Sequence, residues 1–288
     1  MHKNIYKENH SLSLHSWFGT GGNAKKFFSP YNEDELIKYL KENVSEKIIV
    51  IGSGSNILFR DNGCIQTVIK LGKGFRGIEL TENGISCGAA ALKKTVSEFA
   101  KENFLSQHEF LFGIPGTMGG GIFMNAGCFG TEFKDIVEEV HGITKNGTIK
   151  KFNKDEIKFS YRKTDLSSDI IITRILTKAN KDSKESIEKK MNEIKFQKNK
   201  NQPTRIKTGG STFKNPDCKF KAWELIKKSG CDHLKIGNVK FSDTHCNFIE
   251  NSGNSSSDIE MLIDQTINKV KDQFDIILEP EIKIFGEK

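Results

Sequence analysis

Two glycine-rich stretches hold the residue types most suited to gripping a ligand. The first is Gly52-Ser53-Gly54-Ser55-Asn56, directly after the apolar run Ile48 to Ile51. The second is "GIPGTMGGGIFMNAG", Gly113 to Gly127, in which six of 15 residues are glycine. A turn that ends a strand leaves backbone N–H groups facing outward, and Ser53, Ser55 and Asn56 add small donors. Such a nest binds anions, phosphate above all. In the second stretch Pro115-Gly116 is a turn pair. Gly119, Gly120 and Gly121 strip side chains from three consecutive positions, Thr117 and Asn125 flank them as hydrogen-bonding groups, and Ala126 and Gly127 end the run. Glycine is costly to order, so its density among Ile, Phe and Met needs a reason. Two nests could hold the ends of one extended phosphate-bearing cofactor and let a flat ring approach bare backbone. A strained but empty turn remains open for the first stretch, and tight helix–strand packing for the second. Neither is a standard nucleotide fingerprint. The third glycine of G-x-G-x-x-G falls on Ile57, and no Gly-Lys-Ser/Thr follows.

Elements must position these stretches. Ile48 to Ile51 reads as a buried strand, followed by a second at "CIQTVIKLG". Asn83-Gly84 and Asn146-Gly147 predict hairpins with positive φ at both turn residues. "LKKTVSEFAKENF" predicts a helix, and "DIIITRILTKA" a strand. A lysine-rich helix is expected from about Ser183 to Lys200, its apolar stripe running through Ile187, Met191 and Ile194 toward Phe196. "KAWELIKKSG" predicts a helix closed by Gly230. Another runs from about Ser256 to Phe274 with Asp258 in its first turn. A last strand is expected over "FDIILEPEIKIFG". The class is α+β.

Composition narrows the function. The chain has 288 residues and a net charge of +7. Its lysines are spread and mixed with glutamates, and no zinc-finger, KH or RRM pattern occurs, so nucleic acid is not expected as a partner. An anionic small substrate suits the mild excess. No run of ~18 apolar residues predicts a membrane span, and the first residues lack the apolar core of a signal peptide. The expectation is a cytoplasmic monomer. Its six cysteines form no CxxC pair and read as reduced thiols with no metal.

Seven ordered segments resemble the UDP-N-acetylenolpyruvoylglucosamine reductase (MurB) family. They are "SWFGTGGNAKKFFSP", "VIGSGSNILFRDNG", "GIPGTMGGGIFMNAGCFG", "FSYRKTDL", "TGGSTFKNP", "VKFSDTHCNFIENSGNSSS" and "LEPEIKIFG", from Ser16 to Gly286. The resemblance implies a vanillyl-alcohol-oxidase-type fold. FAD-binding subdomains would occupy residues 1–73 and 74–180, and a substrate-binding domain 181–288. It also implies FAD and NADPH as cofactors. Hydride would pass through the flavin to the enolpyruvyl group of UDP-N-acetylglucosamine-enolpyruvate, giving UDP-N-acetylmuramate for peptidoglycan.

The resemblance further assigns roles by position. Arg162 matches the active-site arginine, whose fork of donors suits a carboxylate turning into an enediolate. Ser211 matches the proton donor, and Glu281 the catalytic glutamate, which burial would keep protonated. Glu279 shares a strand face with Glu281, and the sequence by itself does not separate them. Lys214 and Asn215 are placed to meet the substrate's diphosphate or sugar, and Tyr161 to pack on flavin or substrate. Gly52 to Asn56 and Gly113 to Gly127 are the expected FAD contacts. The chain departs from the family pattern at Gly19, where many relatives carry a basic residue. Between Ala179 and Pro203 it has no tyrosine, as in the shorter subclass. A flavin oxidase of the same fold and a non-catalytic nucleotide-binding module are the competing readings.

Overall fold

The computed structural model describes residues 5–288. The chain packs as two compact units. The first is built chiefly from Phe27–Gly52 and Thr67–Lys198, the second chiefly from Glu8–Lys26, Ser53–Gln66 and Asn199–Lys288.

In the first unit a five-stranded antiparallel sheet has the order Ile149–Asn153, Val137–Thr144, Ile170–Lys178, Gly84–Gly88, Ile78–Leu80. Ile48–Ile51 pairs parallel with Thr67 to Lys70, but the burial expected of it is incomplete: it ends its sheet, only Ile51 is buried, and Val50 is exposed. Among the described residues six helices belong to this unit: α1 Glu33–Glu42, α2 Lys93–Glu102, α3 Glu109–Gly113, α4 Met118–Phe123, α5 Phe133–Ile136 and α6 Lys184–Asn201. One core, including Leu36, Val96, Leu111, Ile122, Val140 and Ile175, lies beneath them.

The second unit holds the sheet Lys235–Ile236, Val239–Phe241, Ile249–Asn251 and two helices, α7 Ala222–Lys228 and α8 Ser256–Phe274. Ser255 caps α8 by accepting from the Asp258 N–H, which explains a start legible from the sequence. Gly230 sits just beyond α7 with φ 69°, a left-handed position suited to glycine. Lys283–Phe285 pairs parallel with Ile57–Phe59. A separate core gathers Phe18, Leu58, Phe213, Leu225, Phe241 and Leu262.

Three local expectations change. The hairpin at Asn83-Gly84 forms, but neither residue has positive φ. Gly84 is instead the first residue of its strand, paired with Lys178, where a Cβ would strike the Thr177 carbonyl. At Asn146-Gly147 only Gly147 takes positive φ, and the Thr144 N–H donates to the Thr148 carbonyl across a three-residue loop. Phe196 is exposed, while Ile187, Met191 and Ile194 are buried. A helix brings i+4 back to the same face, so that stripe continues from Ile194 to Lys198 and bypasses Phe196.

Candidate functional site

In the first unit, the second glycine stretch folds as a strand-like entry into α4. Thr117 caps α4 by accepting from the Gly120 N–H at 3.4 Å. The Lys93 N–H donates to Gly116, Met118 to Ala91 and Gly119 to Ala89, all at 2.9–3.0 Å. Gly116 needs φ 105° to make this turn after Pro115. The glycines divide by role. A Cβ on Gly121 would enter the Phe133 ring, one on Gly119 would touch Ala89, one on Gly113 would press on Ile194 and Cys128, and one on Gly52 would meet the Thr117 hydroxyl. Those positions serve packing. Gly120 is exposed, and its Cβ position meets only Thr117 Oγ1 at 3.4 Å. It is the one member of the triplet that leaves bare backbone open to a ligand.

Arg162 sits at the tip of a hairpin in which Ser160 pairs with Lys163. Tyr161 and Arg162 form the two-residue turn, and Arg162 takes φ 56°. That conformation costs a side-chain-bearing residue about 1–2 kcal/mol, and such strain collects at functional positions. The Arg162 guanidinium donates to the Gly127 carbonyl at 3.2 Å and lies 5.0 Å from the centre of the half-exposed Tyr161 ring. Asn125 braces the arrangement. Fully buried with φ 37°, it donates through Nδ2 to Glu132 and to the Ser160 carbonyl, both at 3.0 Å, and accepts from the Lys134 N–H at 3.1 Å. Ala126 is tied by its N–H to Gly121, and its carbonyl accepts from Phe133. The structure thus brings Gly127, Asn125, Tyr161 and Arg162 together.

The same region is strongly cationic. The Lys198 ammonium donates to the Gly113 carbonyl at 2.9 Å, and burial holds its pKa below the usual lysine range. Lys93, at the start of α2, is only 4% exposed. Burial pushes its ammonium down to about 7, and the charges of Arg162 and Lys198 push the same way. Cys128 donates to the Phe110 carbonyl, and burial raises its thiol to about 11 despite those three cations. The sequence reading missed Lys93: a Lys-Lys pair opening an amphipathic helix carries no sign that one of the two faces inward.

In the second unit, Ser211 and Glu281 are brought into one ladder. Ser211 bridges Phe248, and Phe213 bridges Pro280. The Glu281 N–H donates to Thr212 at 2.8 Å, and the Lys214 N–H to Glu279 at 2.9 Å. Asn247 staples this segment: its side chain accepts from the Phe213 N–H at 3.0 Å and donates to the Phe213 carbonyl at 2.9 Å. No spacing in the sequence pointed to Asn247. The expected long final strand is confined to Lys283–Phe285, since Pro280 has no N–H for a continuing ladder. Glu281 is half-buried beside it. Glu279 is exposed, its side chain 69% accessible, and ion-paired with Lys214 at 2.5 Å. Asn215 accepts from the Ala222 N–H at 3.1 Å at the start of α7. Asn56 donates to the Glu281 carbonyl at 3.1 Å and accepts from the Lys283 N–H at 3.0 Å.

Around the first glycine stretch, Gly54 takes φ 77° with its Cα against the His15 carbonyl. The Ser53 hydroxyl is buried with no hydrogen-bond partner, as are those of Thr20 and Thr208. Among the described residues the one group within reach of a Cβ at Gly210, with φ 81°, is the Ser55 carbonyl at 3.8 Å, so the position beside Ser211 is open. The space a side chain at Gly19 would enter is filled by Lys207, with Cδ at 3.1 Å and Nζ at 3.2 Å. A cation thus stands at this point although residue 19 carries none.

A model of the FAD binding domain matches residues 24–153, and one of the UDP-N-acetylenolpyruvoylglucosamine reductase C-terminal domain matches residues 202–285. UDP-N-acetylenolpyruvoylglucosamine reductase of Rickettsia conorii is 42% identical over 99% of this chain and 97% of its own length. That of Rickettsia typhi is 41% identical over the same shares. The crystal structure of the enzyme from Thermus caldophilus superposes with a TM-score of 0.85 at 30% identity, covering 99% of both chains. With this identity along nearly its whole length, the chain belongs to the UDP-N-acetylenolpyruvoylglucosamine reductase family.

Proposed function

We propose that Arg162, Ser211 and Glu281 divide the catalytic work of this reductase. The enzyme converts UDP-N-acetylglucosamine-enolpyruvate to UDP-N-acetylmuramate in peptidoglycan precursor synthesis, with FAD and NADPH. The residues present fit the flavin. Gly120 offers open backbone, and the buried Ser53 hydroxyl lacks a partner that a polar ligand atom would supply. Gly52 to Asn56 and Gly113 to Gly127 are the segments assigned to hold it. Bound FAD supplies the hydride chemistry, with NADPH as its reductant.

The chain's own groups do the rest. Reduction of the vinyl ether builds negative charge on the carbon beside the carboxylate and on the carboxylate itself. Arg162 meets that charge with a rigid fork of donors, a preorganised stabilisation on the order of 3–4 kcal/mol. Ser211 gives its hydroxyl proton to the carbon. An isolated serine is a weak acid, so the role depends on placement, and the anchored backbone of Thr212 and Phe213 next to it supports that reading. Glu281 donates to the developing enolate oxygen, steadied through its backbone by Thr212 and Asn56. Lys214 and Asn215 are assigned to the diphosphate or sugar and Tyr161 to packing against flavin or substrate. Flavin binding is assigned to residues 1–180 and substrate binding to 181–288. No helix among the described residues is long and apolar enough to cross a membrane, and we place the enzyme in the cytoplasm as a monomer.

The observation that supports this division is the backbone bond from the Glu281 N–H to the Thr212 carbonyl, which joins the strand segments carrying Ser211 and Glu281 in one ladder. The test is product analysis. Holoenzyme with NADPH and UDP-N-acetylglucosamine-enolpyruvate should yield a nucleotide heavier by two hydrogens. An unchanged substrate beside reduced flavin would refute the substrate assignment.

A further inference from the structure

Lys93 is used by none of the roles above, and its burial and the cations around it oppose a charge there. It is the first residue of α2 and 4% exposed. A helix N-terminus carries partial positive charge. Arg162 on its hairpin and Lys198 on α6 act on it as further cations, and the Cys128 thiol is the remaining titratable neighbour. Phe133 of α5 presents a ring whose centre is 6.0 Å from the ammonium. Among the described residues no carboxylate and no hydrogen-bond acceptor pairs with it. An unpaired buried cation is costly, and an apolar side chain of the same length would pack there without that cost. A lysine at such a point makes sense when an anion completes the site.

We propose that Lys93 is a second anion-binding residue of the active site, which takes the substrate's enolpyruvyl carboxylate together with Arg162. The proposal rests on the reading of Arg162 given above. The local backbone selects a carboxylate over a diphosphate. Phosphate cradles use free backbone N–H groups, but here those of Lys93, Met118 and Gly119 are already bonded to Gly116, Ala91 and Ala89. Side-chain cations are what the region has left to offer. With its ammonium pushed down to about 7 by burial, free Lys93 is largely neutral above neutral pH. Binding of the carboxylate then draws a proton onto it.

The test titrates oxidised holoenzyme with two nucleotides, read by the flavin absorbance change. UDP-N-acetylmuramate carries the carboxylate; UDP-N-acetylglucosamine lacks it. Lys93→Met should weaken the first by about tenfold or more and leave the second unchanged. In the parent enzyme, affinity for the first should fall as pH rises above 7, by up to about tenfold per unit. That slope should vanish in Lys93→Met. Retained flavin and an unchanged or raised melting temperature are expected for the variant, since a purely structural lysine would instead cost stability. Lys93→Gln repeats the test should Lys93→Met lose flavin. Equal affinity of variant and parent for UDP-N-acetylmuramate, with the same pH slope, would overturn the proposal and leave the reductase reading intact. A parent enzyme that binds neither nucleotide would overturn both.

Discussion

Glu281 donates its backbone N–H to the carbonyl of Thr212 at 2.8 Å, so the residue after Ser211 and a carboxylate far along the chain are neighbours in one ladder. Glu279, two residues earlier, is mostly exposed and held by Lys214. The two acids, indistinguishable by spacing, therefore stand in different settings. Glu281→Gln should lower turnover by about a hundredfold or more, and Glu279→Gln by less than about fivefold, because the Glu279 carboxylate is mostly exposed and screened by solvent. Steady-state kinetics of both variants decide it, and the reverse ranking would move the acid role to Glu279.

Ser211→Ala removes a hydroxyl and leaves the Phe248 bridge of its backbone in place. Flavin reduction by NADPH should proceed at the parent rate. Reoxidation by substrate should slow by about a hundredfold to ten-thousandfold. Equal slowing of both half-reactions would show that Ser211 shapes the site rather than delivering a proton.

The glycine triplet offers a paired comparison. Gly120→Val has space within the protein and should fold, yet be purified without flavin. Gly121→Ala forces a methyl into the Phe133 ring and should lower stability by about 1–3 kcal/mol. Visible absorbance and thermal melts separate the two. A yellow, active Gly120→Val would mean that its open face is not where the cofactor lies.

His108 supplies a pH dependence unrelated to catalysis. It is fully buried, its Nε2 is 2.8 Å from Thr177 Oγ1, and burial pushes its pKa from 6.5 to about 4. Between those values the unfolded chain binds the proton and the folded chain does not. Stability from the neutral imidazole is therefore complete above pH 6.5 and lost as pH falls toward 4, on the order of 3 kcal/mol in all. Urea melts at pH 7 and pH 5 should show about half of this loss. In His108→Gln the pH slope over that range should shrink, and an unaltered slope would assign the effect to other groups.

Much of this architecture is legible in the amino-acid order, for definite reasons. Ile48–Ile51 is short, apolar throughout and stopped by a glycine turn, and the structure makes it a strand with the same ends. Helix α8 starts after a serine cap and ends at Phe274 as read. Turn detail was less legible, because Asn-Gly marks a reversal but not its register: Gly84 is drawn into its strand by Lys178. Long-range pairing was not legible at all. The bond from Asn56 to Glu281 joins residues with no shared period, and the inward turn of Lys93 contradicts the usual fate of its side chain. Arg162, Ser211 and Glu281 were reached through motif resemblance, since arginine at a hairpin tip or serine in a loop carries no chemistry by type alone.

In the reaction proposed here, hydride reaches the enolpyruvyl group by way of a flavin held in this chain. Anaerobic stopped-flow mixing tests it most directly. NADPH should bleach the flavin band, and subsequent UDP-N-acetylglucosamine-enolpyruvate should restore it with one equivalent of UDP-N-acetylmuramate formed. A bleached flavin that oxygen restores but the enolpyruvyl nucleotide does not would rule out that route.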